Sequence, residues 1–199
     1  MMPGWSNDID GFTPDSETAE GGDNSSECIN ITLNPGDMYS LDVDNTPPPG
    51  GDAHTIGFWK NWTSCDGRGK QAAVLDDNLP VTLDTDFVID KCPVAVDLLD
   101  KRKVKNEDII KDGKKSASDP IYNMVAQLFA AKLNVNAGAG GCAALTNAIT
   151  DADALLTDVG FDGNMDYKKG SDKLTRKQKA EANALAGTLD AYNNNQLCP

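Results

Sequence analysis

The sequence predicts an α+β fold, mainly α, in which a compact helical domain carries an N-terminal β-hairpin and extended arm. Two patterns predict the pieces: apolar residues recur at helical spacing along most of the chain after residue 90, and residues 28–45 alternate at period two. A third observation predicts the arm, since residues 1–27 are dominated by Gly, Ser, Asn, Asp and Glu. The expected organisation is an acidic extended arm over 1–27, a β-hairpin and Pro/Gly linker over 28–51, and the helical domain over 52–199.

In the arm, Trp5, Ile9 and Phe12 are the only large apolar residues after the initial methionines. Such a segment cannot form a core, so any order in it must be borrowed from another surface. Next, Ile29, Ile31 and Leu33 face one way and Asn30 and Thr32 the other; a turn at Asn34-Pro35-Gly36-Asp37 follows, and Tyr39, Leu41 and Val43 then alternate with Ser40, Asp42 and Asp44. A lone two-stranded hairpin is marginal in water, so this one is expected to pair with something else. Pro47-Pro48-Pro49-Gly50-Gly51 is a stiff linker. Val81, Leu83, Thr85, Phe87 and Ile89 offer one more alternating run.

Helices fill the rest. Pro93 marks a start whose inner face holds Leu98 and Leu99. Asp119 followed by Pro120 is an N-cap with proline at the first helical position, and Ile121, Met124, Val125, Leu128 and Phe129 recur at helical spacing until the glycine-rich stretch 138–141. Leu145, Ala148, Ile149, Ala152, Leu155 and Leu156 define another helix that stops near Gly160. Thr175 with Gln178 forms a capping box ahead of Ala182, Leu185, Ala186, Leu189 and Tyr192.

Charge is placed unevenly. The net charge is −13 over 199 residues, yet residues 1–59 hold eleven acids and no Lys or Arg, while the remainder is nearly balanced. That acidity disfavours nucleic acid and anionic membranes. No run of about 18 apolar residues is present, so no membrane span is expected. The opening residues lack the basic and apolar regions of a signal peptide, so an exported form is expected to be a processed chain. Residues 101–115 hold seven bases and three acids, which suits a solvated helix end or a dock for the acidic arm.

Cys28, Cys65, Cys92, Cys142 and Cys198 contain no CxxC pair, which fits neither a zinc ribbon nor a thioredoxin-like motif. Two disulfides with one cysteine left over fit an oxidising compartment, against the alternative of buried thiols; their connectivity is open at this point. Cys28, in the arm, is placed to pair between subunits.

His54 is the only histidine, and phosphate-binding glycine loops and zinc spacings are absent, so catalysis is not expected. Phe58, Trp59 and Trp62 suit either a sugar-stacking platform or core packing, with two of the three expected in the core. Asp162, Asn164 and Asp166 repeat the alternate oxygens of a calcium loop, but Tyr167 and Lys173 occupy the positions where an EF-hand has Gly and Glu. A less regular Ca²⁺ site completed by Asp158 or Asp172 competes with a simple Asx turn. Asn24, Asn30 and Asn61 each begin an N-glycosylation sequon.

Four segments together resemble a known family. His54-Thr55-Ile56-Gly57-Phe58-Trp59-Lys60-Asn61-Trp62 resembles the Gly-(Phe/Tyr)-Trp-Lys-Asn signature of a recurrent domain in secreted bacterial and archaeal surface proteins. Residues 126–134 are similar to its AQLLAAKLN helix, residues 151–156 to its AADALL stretch, and residues 189–194 with Cys198 to its LDxYNNG…C ending. The resemblance covers residues 54–198 and none of the arm. It implies an extracytoplasmic, disulfide-tolerant module with no known catalytic residues; Cys65, which follows the signature closely, departs from its ordinary disulfide pattern, and the pairings expected here are Cys65–Cys92 and Cys142–Cys198. Asn195-Gln196-Leu197 departs from the family's glycine-containing tail.

The expected function is that of a structural subunit of a pilus-like extracellular filament or a cell-surface assembly. Copies of the chain would join head-to-tail by β-strand complementation, with Trp5, Phe12, Cys28, Ile29, Ile31 and Leu33 at the interface. A secreted carbohydrate-binding or adhesion module, with glycans as partners, is the alternative. The long apolar N-terminal helix of a type IV pilin is absent.

Overall fold

The described part of the N-terminal region consists of two short polar segments paired through their backbones. In the computed structural model the chain divides into two units, Met1–Pro49 and Gly50–Pro199. The structure describes residues 6–8, 44–46, 52–65, 73–83, 86–168 and 173–198. In the first unit, β1 (Ser6–Asp8) runs antiparallel to β2 (Asp44–Thr46), with Ser6 opposite Thr46, Asn7 opposite Asn45 and Asp8 opposite Asp44. Part of the expected extended arm is therefore a strand. The predicted hairpin strands around Ile29, Ile31, Leu33 and Tyr39 lie outside the described residues, as do Trp5, Phe12, Cys28, Asn24 and Asn30.

The second unit begins with two short helices. Thr55 caps α1 (Ile56–Asn61), its hydroxyl accepting from the Phe58 N–H, and α2 (Val74–Asp77) is tied back to it by the Leu75 N–H donating to the Trp62 carbonyl. The alternating run 81–89 is a small hairpin instead of one strand: β3 (Val81–Thr82) and β4 (Val88–Ile89) pair antiparallel, with the Leu83 N–H donating to Phe87 O across the bend. Folding the run in half keeps its apolar face, because Val81 sits opposite Ile89 and both are buried, along with Leu83.

Four longer helices follow. They are α3 (Cys92–Leu99), α4 (Pro120–Asn136), α5 (Ala143–Asp158) and α6 (Arg176–Asn193). Their starts are written in side chains: Pro93 in the first turn of α3, the Asp119 carboxylate accepting from Ile121 N–H at α4, and a complete Thr175–Gln178 capping box at α6. Two of their ends follow from glycine, with Gly138 at φ 84° after α4 and Gly160 at φ 61° after α5. α4 is buried on nearly every side and packs against α1, α3, α5 and α6, so it is the centre of the core.

Candidate functional site

Three of the four segments that carry the family resemblance meet around one buried asparagine. Asn134, in the last turn of α4, is 1% exposed. Its Oδ1 accepts from Trp59 Nε1 at 3.0 Å and from the His54 N–H at 2.8 Å; its Nδ2 donates to the His54 carbonyl and to Asn193 Oδ1, both at 2.9 Å. Asn193 Nδ2 donates in turn to the Gln127 carbonyl and side chain, and Gln127 Nε2 to Asp190 at 2.7 Å. Buried amides are costly unless their donors and acceptors are matched, and here each one serves its neighbour. Beside them, the Asn195 side chain accepts from the Ala53 N–H at 2.7 Å and donates to the Ala53 carbonyl at 3.1 Å.

This arrangement sorts the aromatic residues. Trp59 is fully buried in the core and Phe58 packs against it half-buried. Phe58 and Trp62 are half-buried and stack at 5.3 Å, and exposed His54 stacks on Phe58 at 3.9 Å. They lie four residues apart along α1 and its flanks, one helical turn each, which aligns them on one face. Partial burial lowers the His54 pKa, opposed by nearby Asp52.

A second polar cluster organises residues 101–115. Asp100 ends α3 and receives Lys60 at 3.1 Å, Arg102 at 2.7 Å and Lys115 at 3.3 Å. Desolvation pushes its carboxyl up, but the bonds from Arg102 and Lys60, the Lys60 charge and the Lys115 bond outweigh this and hold it at about 2. Asp97, 1% exposed, accepts from the Lys111 N–H at 2.6 Å; burial raises its pKa against that bond and the Arg102 charge. The loop is closed by Lys103 N–H to Lys114 O and Ser116 N–H to Lys101 O, and Gly113 is required because a Cβ there would collide with the Lys103 carbonyl oxygen.

Several bases of the predicted dock make contacts inside the helical unit. Lys101 donates to Asn123, Lys103 lies 3.9 Å from Asp166, and the Arg102 and Lys115 charges go to Asp100. Lys105 and Lys114 are the exposed bases of this loop whose side chains have no partner among the described residues.

The acidic loop after α5 takes a definite form. Asp162 Oδ1 accepts from the Asn164 and Met165 N–H groups at 2.8 and 2.9 Å, and Asp166 Oδ1 accepts from Lys168 N–H at 3.2 Å. These are Asx turns. Asp158 is engaged by Gln178 Nε2 at 2.8 Å, and Asp172 lies outside the described residues. Among the described residues no three His, Cys, Asp or Glu side chains are grouped to hold a metal ion. Beneath the loop, Phe161 packs edge-on to Phe87 and Tyr122, and the Tyr122 hydroxyl donates to Met165 O. Gly163, at φ 80°, brings its backbone so near that a Cβ would meet Phe87 at 2.9 Å.

Both expected disulfides are present: Cys65–Cys92, with Cα atoms 6.0 Å apart, and Cys142–Cys198, at 5.6 Å. Thr63, 7% exposed, contacts Cys92 Sγ, which buries the hydroxyl of the Asn61 sequon; Asn61 itself is half-buried as the last residue of α1. Among the described residues no helix is long and apolar enough to cross a membrane.

Asn134, Asn193, Asn195, Asp97 and Asp100 carried no role in the sequence reading. The one available signal was polarity in the wrong place: Gln127 and Asn134 interrupt the apolar face of α4 seven residues apart, one heptad, and so share it. Compared with protein-family models, curated proteins and solved structures, the chain matches none of them.

Proposed function

We propose that this chain is a non-enzymatic structural subunit of an extracellular, pilus-like filament or cell-surface assembly, in which the N-terminal segment of one copy pairs with another. The observation that supports it most is the division at Pro49: residues 1–49 form a unit of their own, whose described strands, Ser-Asn-Asp and Asp-Asn-Thr, contain no apolar residue. Such a unit has little with which to stabilise itself, and the sequence adds an alternating Ile29, Ile31, Leu33 segment suited to another sheet edge.

Two disulfides within the second unit support secretion, because they persist in oxidising compartments. The reading does not depend on calcium. Sedimentation velocity and electron microscopy of the full chain and of a chain lacking residues 1–45 test it. Concentration-dependent multimers or fibres are expected from the full chain, and monomers from the truncation. Assembly that persists unchanged after truncation would remove the proposal.

One observation favours the second reading, a glycan-binding module: the His54–Phe58–Trp62 ladder is part-exposed on one face. Trp59 takes no part in it, since it is fully buried. Glycan-array binding lost on Trp62→Ala, with the fold retained, is the expected result for that reading.

A further inference from the structure

Ala53 and His54 are the second and third residues of the described stretch that follows the Pro/Gly linker, and all four of their backbone polar groups are taken by side-chain amides. Asn195 holds the Ala53 N–H and C=O at 2.7 and 3.1 Å; Asn134 holds those of His54 at 2.8 and 2.9 Å. The two amides thus hold two successive residues of the segment, one each. A side chain that bonds both groups of one residue imitates a neighbouring strand.

Both grips are tied into the helical core. Asn134 is buried in α4 and bonded to Asn193 of α6. Asn195 follows α6 with φ 58°, a backbone that asparagine tolerates better than most residues, and stands three residues before Cys198, which is bonded to Cys142 at the head of α5. A pull arriving at residue 52 thus passes at once into α4 and α6 and, through a covalent bond, into α5.

We propose that this double-amide clamp is a mechanical anchor, which carries tension from the N-terminal segment into the helical unit. The need for such an anchor rests on the assembly reading, because a segment docked in a neighbouring copy transmits load to the point where it joins its own domain. The clamp itself is measured on isolated chains.

Asn195→Gly is the informative change: it removes the side-chain grip while relieving the positive-φ backbone. Full-length, oxidised wild-type and variant chains would be held at constant force between handles at the two termini, and separately between handles at Glu107 and Asn147, both exposed. Under terminal load the lifetime of the folded helical unit should shorten on the order of tenfold in the variant, the rate equivalent of losing two hydrogen bonds. Under load between Glu107 and Asn147 it should be unchanged. Equal shortening in both geometries would reduce the clamp to an ordinary stabilising contact, and no change in either would dismiss it. Monomeric behaviour in the assembly experiment would leave this result untouched, so the two failures are separable.

Discussion

Replacing Asn134 by alanine removes four hydrogen bonds at once and leaves their partners in place. Trp59 Nε1 and Asn193 Oδ1 belong to residues that are 0% and 1% exposed, whereas the His54 N–H and carbonyl lie nearer the surface. A buried group stripped of its partner costs about 1–3 kcal/mol, and a bond that water can replace costs about 0.5 kcal/mol. The expected loss is therefore about 4 kcal/mol, a large share of the roughly 5–15 kcal/mol that holds a domain folded. Urea unfolding of the oxidised protein, followed by tryptophan fluorescence, measures it. Asn134→Asp refines the test, because a carboxylate can accept from Trp59 and His54 but cannot donate to Asn193 or the His54 carbonyl. Burial beside two carbonyl oxygens raises such a group's folded pKa, so stability should be present at low pH and fall as pH rises through that value. A loss below about 1 kcal/mol in the alanine variant, or an aspartate variant indifferent to pH, would refute the claim that this residue is the hub of the unit.

Three further outcomes follow from the same geometry. Removing Cys142–Cys198 as a pair should cost about 4 kcal/mol, and removing Cys65–Cys92 about 3.5 kcal/mol, from sequence separations of 56 and 27 residues, measured by denaturant unfolding of double serine variants. Asp100→Asn should lose about 2 kcal/mol at neutral pH. The Asp100 pKa is depressed, so the stability it contributes is present above its unfolded value and lost as pH falls toward 2; urea titrations at several pH values should show wild type and variant converging in acid. Gly163→Ala should cost about 2 kcal/mol or more, from the positive φ and the approach to Phe87, read as a lower melting temperature with loss of near-ultraviolet circular dichroism from the Phe87–Phe161–Tyr122 cluster.

The helices were legible because their ends are written locally: Asp119, the Thr175–Gln178 box and Gly160 sit within one turn of the backbone they cap. The bend that halves the run 81–89 was not, because the period-two pattern is the same for one strand as for two that fold back in register. Residues 162–166 fit both a cation loop and a turn for a related reason. An aspartate oxygen two residues before a backbone N–H closes an Asx turn from the same spacing that would place ligands around calcium. The internal contacts of the basic run were hidden by distance: Lys101, Lys103 and Lys115 meet Asn123, Asp166 and Asp100, and a local charge count shows none of these contacts. Asn134 is the deepest case, since its four bonds span 59 to 80 residues of sequence.

The order of the cysteines has a consequence for how the chain is made. Cys65 joins Cys92 and Cys142 joins Cys198, so each thiol of the helical unit bonds to the next one along, and the two covalent rings neither overlap nor nest. A polypeptide threaded through an export pore into an oxidising space meets these partners in the native sequence of events, and simple first-come pairing among those four gives the correct isomer. Cys28 is the exception, because it emerges before all of them and Cys65 is the first thiol to reach it. In the proposed exported chain, whatever occupies Cys28 decides whether that sequence starts correctly.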